Sequence, residues 1–166
     1  MKPTPTSTST IKNTESVWDY PRPPAVEAVE QVITVIFNGE IIAESQNTKR
    51  VLETSHPPVY YIPLEDVKLG VLRLTVGKSW CEWKGQAFYY DVTVNDKTAK
   101  KAAWFYPNPV NQYVMIKDHA AFYPSKMEAC FVGDEQVTAQ EGDFYGGWIT
   151  SNIVGPFKGG PGTAGW

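Results

Sequence analysis

Cysteine and histidine are scarce in this chain, two of each in 166 residues. Two cysteines, Cys81 and Cys130, cannot build a disulfide framework, and no C-x-x-C pair is present. Two Cys and two His could in principle ligate one zinc, but structural zinc ligands come in close pairs and these are widely scattered. No metal is expected. A basic excess is missing as well: 15 Lys and Arg against 18 Asp and Glu leave a net charge of -3. The densest basic stretch, Lys97, Lys100 and Lys101, reads as a solvated loop, so no nucleic-acid partner is expected. No apolar run approaches the roughly 18 residues of a membrane span. The opening "MKPTPTSTSTIKNTES" has no apolar segment of the kind a secretory signal needs. Membrane association is therefore not expected, and a cytoplasmic setting is.

What the chain has in quantity is aromatic side chains: six Trp, nine Tyr and seven Phe, 13% of the residues. One small core need not use so many rings. Residues 1–16 carry Pro, Thr and Ser with hardly a large apolar group, and read as a disordered leader. A single domain is expected over residues 17–166, opening at "VWDYPRPP", where Trp18 and Tyr20 can pack and prolines stiffen an extended arm.

Strand signals then follow closely. "QVITVIFNGEIIAES" is two β-branched runs joined by Asn38-Gly39, a dipeptide that tolerates positive φ in a tight hairpin turn. "KRVLET" and "PVYYIP" read as short strands around "SHPP". In "QAFYYDVTVND" Phe88, Tyr90, Val92 and Val94 share one face, and Tyr89, Asp91 and Thr93 the other. "KAAWFYP" and "HAAFYP" end at proline, as strands do, and "MEACFVGDEQVTAQ" is a hairpin turning at Gly133-Asp134. That hairpin faintly resembles "FNGEIIA", on too few residues to prove duplication. Only "NPVNQYVMIKDH" reads as helix, with Asn108 as cap, Pro109 in the first turn, and Val110, Tyr113, Val114 and Lys117 on one face. A shorter turn is expected at "LEDVK". Connections are too short for parallel crossover helices, so the fold class is all-β.

Three stretches carry candidate chemistry. In "RVLETSHPPVYYIPLEDV", alternation sets Arg50 with Leu52 on one face and Val51 with Glu53 on the other. His56, held by the two prolines after it, could act as a general base with Glu53 or Glu65 fixing its tautomer. The competing reading is a rigid loop whose His caps backbone carbonyls. The neighbouring Ser55 is no sign of a hydrolase, because triads assemble in space. In "SWCEWKGQAFYYD", Trp80, Trp83, Phe88, Tyr89 and Tyr90 surround Glu82 and Lys84. Aromatic walls with a few charges suit a small-ligand pocket. Lys84 could hold a carboxylate or phosphate or, if desolvated, serve as an amine nucleophile. The competing reading is core packing, which is also expected of Cys81 and Cys130 as inert buried thiols. The third stretch ends in "GGPGTAGW", where Gly160, Gly162 and Gly165 fit G-x-G-x-x-G. That pattern binds phosphate only between a strand and a helix, and one residue follows Gly165, so a strap anchored by Phe157 and Trp166 is expected instead.

The segments "SVWDYPRPP", "VLETSHPPVYYIPLEDV", "CEWKGQAFYYDV", "AAWFYPNP", "HAAFYP" and "GDFYGGWITSNIVGPFKGGPGTAGW" together resemble domain-of-unknown-function family 427, from about residue 16 onward. The resemblance implies a compact β-tent-like fold, similar to methionine-sulfoxide reductase B and the ligand-binding domain of cereblon. Several proteins of that group bind zinc through paired cysteines, which this sequence lacks; cereblon-like ones hold small ligands in an aromatic cage. The family carries a nucleotidyltransferase label with no reaction established behind it. Its characteristic positions correspond to Arg50, Glu53, His56, Tyr60, Tyr61, Lys84, Gly85, Tyr89, Trp104 and Tyr106. The expectation is a pocket for a small polar or anionic molecule, with Arg50 and Lys84 supplying charge, Glu53 and His56 hydrogen bonds, and Tyr61, Trp83, Tyr89 and Trp104 the walls. No cofactor is expected. The alternatives are an enzyme acting on a nucleotide or phosphorylated molecule, with His56, Glu53 and Lys84 as catalytic candidates, and a purely structural or protein-interaction domain.

Overall fold

Asn38 and Gly39 both take positive φ, 50° and 80°, and close the first hairpin where the dipeptide predicts it. The computed structural model describes residues 14–142 and 144–166. Among these the strands are β1 (Glu15–Ser16), β2 (Ala25–Ala28), β3 (Ile33–Phe37), β4 (Glu40–Ser45), β5 (Lys49–Leu52), β6 (Val59–Pro63), β7 (Leu72–Cys81), β8 (Gly85–Val94), β9 (Lys97–Phe105), β10 (His119–Phe122), β11 (Ala129–Val132), β12 (Glu135–Gln136), β13 (Thr138–Ala139), β14 (Trp148–Ile149) and β15 (Ile153–Val154).

Two antiparallel sheets make the body. One runs β2-β5-β6-β10-β9-β8-β7 and the other β12-β11-β3-β4, which puts the two similar hairpins in one sheet. The sheets meet over a shared core. Ile33, Val35, Phe37 and Ile42 of the smaller sheet pack against Ile62, Val92, Ala103 and Phe122 of the larger. Trp148 is fully buried there, stacks on Tyr60 at 4.9 Å, and donates its indole N–H to the Phe122 carbonyl. The chain is all-β.

Strand alternation gives the large sheet a second buried face. Val51, Tyr61, Ala87, Trp104, Ala121 and Tyr123 point away from the shared core and form their own cluster. The expected helix is instead a 3-10 segment, Asn111–Ile116, broken at Tyr113 (φ -116°, ψ 18°). Six residues are too few to sustain an α-helix on local bonds, and the buried pair Tyr113 and Ile116 is spaced by three, which is the 3-10 period. Asn108 does not cap it, and Val110 and Val114 are exposed rather than on a packed face. The turn at "LEDVK" is a 3-10 turn, Leu64–Asp66.

The two ends of the described chain pack together around β5, with β1 on its Arg50–Leu52 side and Arg22 and Trp166 at the edge of the second face. Of the expected leader, residues 1–13 lie outside the described residues; Glu15 and Ser16 form β1, paired in parallel with β15. Val17, Tyr20, Leu52 and Ile153 make a small cluster against which Phe157 packs. The Gly160–Gly165 segment is a series of turns fixed by Thr163, whose hydroxyl accepts from Gly159 N–H and donates to the Gly160 carbonyl. No helix is part of it, and it is a strap.

Candidate functional site

The second face of the large sheet is only partly filled. A cavity of about 350 Å³ remains above it. Its floor comes from alternate residues of neighbouring strands: Val59 and Tyr61 of β6, Trp104 of β9, Tyr89 of β8, Ser79 and Cys81 of β7. Its rim comes from the arm (Arg22), the β5–β6 loop (Glu53, His56), Phe144 and Tyr145, and the strap (Lys158, Trp166).

Lys84 is the unusual residue of the lining. It sits in the β7–β8 turn, where its carbonyl accepts the Val110 N–H at 3.0 Å. Its side chain is carried inward, so the residue is only 7% exposed. The ammonium lies 5.8 Å from the Tyr106 ring centroid, over its face. Lys84 takes part in no ion pair among the described residues. A buried ammonium without a carboxylate is an incomplete arrangement, because desolvation is offset only by a counter-charge or strong acceptors.

The other charges around the cavity are arranged differently. Arg22 reaches Glu53 at 3.7 Å and donates to the Thr54 and Trp166 carbonyls at 2.9 and 3.3 Å. Lys158 lies 5.2 Å from the Tyr145 centroid and is half-buried at the rim, with exposed Glu82 also on the lining.

His56 is buried beside Tyr145, ring centroids 4.7 Å apart and edge to face. Ser55, at φ 72°, turns the chain so that His56 Nδ1 comes within 2.9 Å of the Thr54 carbonyl. A carbonyl can only accept, so Nδ1 carries the proton and Nε2 of the neutral ring is an acceptor. Burial pushes the His56 pKa down; Glu53 and the Thr54 carbonyl oppose that, while Lys158 and Arg22 reinforce it. Ser55 Oγ stands 3.5 Å from Nδ1, a nitrogen already committed to Thr54, so the pair is not a nucleophile and its base.

Two phenols of the lining, Tyr61 and Tyr106, are held neutral. Burial raises the pKa of Tyr61 and of Tyr106 well above the ordinary tyrosine value. Trp104 Nε1 donates to the Tyr61 hydroxyl at 3.3 Å, and Tyr89 donates to Ser79 Oγ at 3.0 Å. Tyr123 donates to the Phe144 carbonyl at 2.8 Å, which ties the floor to the rim.

Of the residues singled out from sequence, Glu53, His56, Tyr61, Trp83, Lys84, Tyr89 and Trp104 all line this cavity. Arg50 does not. It points to the opposite face of β5, where Nε donates to Glu27 at 2.6 Å and a terminal nitrogen to Glu15 at 2.9 Å. The cause is strand parity: Val51 faces the cavity, so its neighbour cannot. Tyr60 is excluded by the same rule and lies against Trp148. Cys81, expected to be buried core, is half-buried on the cavity lining, whereas Cys130 is 1% exposed and burial pushes its thiol up to about 12. Arg22, Tyr123, Tyr145, Lys158 and Trp166 were missed. "DFYGGW" and "PFKGGPGTAGW" did signal ordered aromatic segments, but nothing local says which sheet face they cover. Among the described residues no three His, Cys, Asp or Glu come together as a metal-binding group, and no helix is long and apolar enough to cross a membrane.

A family model described as a domain of unknown function, DUF427, matches residues 25–133. The chain belongs to this family. The matched span holds β2 to β11 and with them His56, Lys84 and the aromatic floor. Arg22, Tyr145, Lys158 and Trp166 lie outside it, although the resemblance read from the sequence runs on to the strap. A search among curated proteins finds no match.

Proposed function

We propose that the protein is a small-molecule-binding domain whose aromatic cavity takes a polar or anionic ligand. One observation carries this reading: Lys84, buried and without an ion pair among the described residues, faces a cavity walled by Trp and Tyr. Aromatic walls supply contact area, and a single desolvated charge supplies orientation. Tyr61, Trp83, Tyr89 and Trp104 form the walls, and Glu53 and His56 offer hydrogen bonds at the rim. A cytoplasmic setting is part of the reading, in keeping with two free cysteines. Mass spectrometry of small molecules released from the purified protein tests it. A ligand is expected in stoichiometric amount from the native protein and in reduced amount from Lys84→Met. If nothing is released and no metabolite in a broad thermal-shift panel raises the melting temperature, the reading is wrong.

A second reading, an enzyme, is favoured by one feature, the neutral His56 with its tautomer fixed by Thr54. An acceptor nitrogen at a cavity edge is what a general base needs. Nucleotides and phosphorylated molecules, supplied with Mg²⁺, are the substrates to screen. Turnover that survives His56→Gln would remove this mechanism.

A further inference from the structure

We infer that the ligand is a planar aromatic monoanion, an aryl or heteroaryl carboxylic acid whose carboxylate sits on Lys84. The inference rests on the ligand-binding reading above and narrows it to a chemical class.

The number of charges comes first. Arg22 is occupied by Glu53 and two carbonyls, and Lys158, only half-buried at the rim over the Tyr145 ring, keeps part of its hydration. Among the described lining residues Lys84 is the only buried cation, one positive charge. One negative charge on the ligand completes it. A second, as on a phosphomonoester, would be desolvated there with no second buried cation to face, and that is costly.

The acceptor chemistry agrees. Tyr106 lies directly beside the ammonium, and burial keeps both Tyr106 and Tyr61 protonated. A phenolate beside the ammonium would neutralise Lys84 from within; the protonated Tyr61 hydroxyl, which accepts from Trp104, instead has its own proton to donate to a carboxylate.

The walls decide the shape. From Lys84 the rings run Tyr106, Tyr61, Trp104, Tyr123, with centroids 6.4, 6.3 and 4.6 Å apart in turn. Their planes differ strongly, 84° between Tyr61 and Trp104, so they offer both faces and edges. A flat π-system finds stacked and edge-on partners in such a setting, whereas a saturated ring gains area alone. A cavity of about 350 Å³ is at the small end for ligand sites and suits one ring or two fused rings.

Calorimetric titration of the whole chain with four probes of one size class tests the inference: 2-naphthoate, 2-naphthamide, 2-naphthyl phosphate and decahydro-2-naphthoate. 2-Naphthoate is expected to bind about tenfold or more tightly than the amide, the usual effect of a charge-assisted hydrogen bond. It should also exceed the phosphate and the saturated acid. Its advantage over the amide should vanish in Lys84→Met and persist in Lys84→Arg, which keeps the charge if the first variant folds poorly. Equal binding of acid and amide, or an advantage that survives Lys84→Met, overturns the role of Lys84 while leaving a pocket that binds. A preference for the phosphate overturns the monoanion, and a preference for decahydro-2-naphthoate overturns the planar ring. If no probe binds and the molecule released from the purified protein is not an aryl acid, the class is wrong and the pocket stands. If no probe binds and nothing is released, both readings fall.

Discussion

Trp18 and Trp166, from the two ends of the described chain, meet edge to face with ring centroids 5.4 Å apart. Trp18 also donates its indole N–H to the Pro156 carbonyl at 2.8 Å, so arm and strap clasp each other beside the cavity. The strap adds Phe157 against the Val17 and Ile153 cluster, and its Lys158 N–H bonds the Ser55 carbonyl. Deleting residues 157–166 should therefore cost about 2–4 kcal/mol, the sum of one aromatic pair, partial apolar burial and a few hydrogen bonds. For a domain of this size that is a fall of roughly 5–15 °C in melting temperature. Ligand affinity should drop as well, because Lys158 and Trp166 line the rim. An unchanged melting temperature would make the strap a passive tail.

Arg50 joins the body to the arm through Glu15 and Glu27 and has no part in the cavity. Glu27 is nearly half exposed, so water screens that pair, while Glu15 is more enclosed and accepts from Tyr20 at 2.6 Å. Arg50→Ala should lower stability by about 1–3 kcal/mol in chemical denaturation. The affinity of any cavity ligand should stay unchanged. A loss of affinity at constant stability would return Arg50 to the site.

Arg50 and Glu53 show what could be read in advance. The strands, their hairpin turns and the ordered strap follow from local signals: period-two alternation, Asn-Gly and Gly-Asp turns, prolines at strand ends. Alternation even separated Arg50 from Glu53. The family resemblance then grouped them, because resemblance ranks positions without saying which face each occupies. His56 and Lys84 stood out because polar residues among so many rings are conspicuous. Arg22, Tyr145 and Lys158 did not, since their roles come from long-range packing of arm and strap over the sheet, and no local pattern encodes that. The expected helix at residues 108–119 failed for a different reason. Its apolar spacing fits both a 3.6 and a 3.0 period, and burial of Tyr113 and Ile116 decided for the second.

Gly146 packs against two rings of the cavity wall, Trp104 and Tyr123. It takes φ +72°, and a Cβ there would stand 2.6 Å from Trp104 Cη2 and 3.0 Å from Tyr123. Gly146→Ala should cost about 2–4 kcal/mol, combining left-handed backbone strain with overpacking. It should also shift the near-ultraviolet circular dichroism as Trp104 moves. Gly162→Ala, at φ +83° with open space around its Cβ, should show only the backbone part. Equal effects of the two would mean that Gly146 is not a packing contact of the wall.

The pH dependence of stability follows from His56. Burial is the largest influence on its pKa and lowers it, so the folded protein binds the proton less readily than the unfolded chain, where the value is about 6.5. Protons bound to the unfolded state alone favour unfolding. The His56 contribution is thus fully present above about pH 6.5, is lost as the pH falls from there to the lower folded value, and is flat below it. Chemical denaturation between pH 5 and pH 8 should show stability falling on the acid side, with a shallower slope in His56→Gln. Part of the slope should remain, because burial lowers the His119 pKa too, with the same sign. Glu53→Gln provides the sharper test. Glu53 supports the imidazolium, so its removal should depress the His56 pKa further and extend the loss of stability to lower pH. Nuclear magnetic resonance titration of the two imidazoles separates the contributions directly. A His56 titrating above the unfolded value would reverse the sign and remove the neutral ring on which the general-base reading depends.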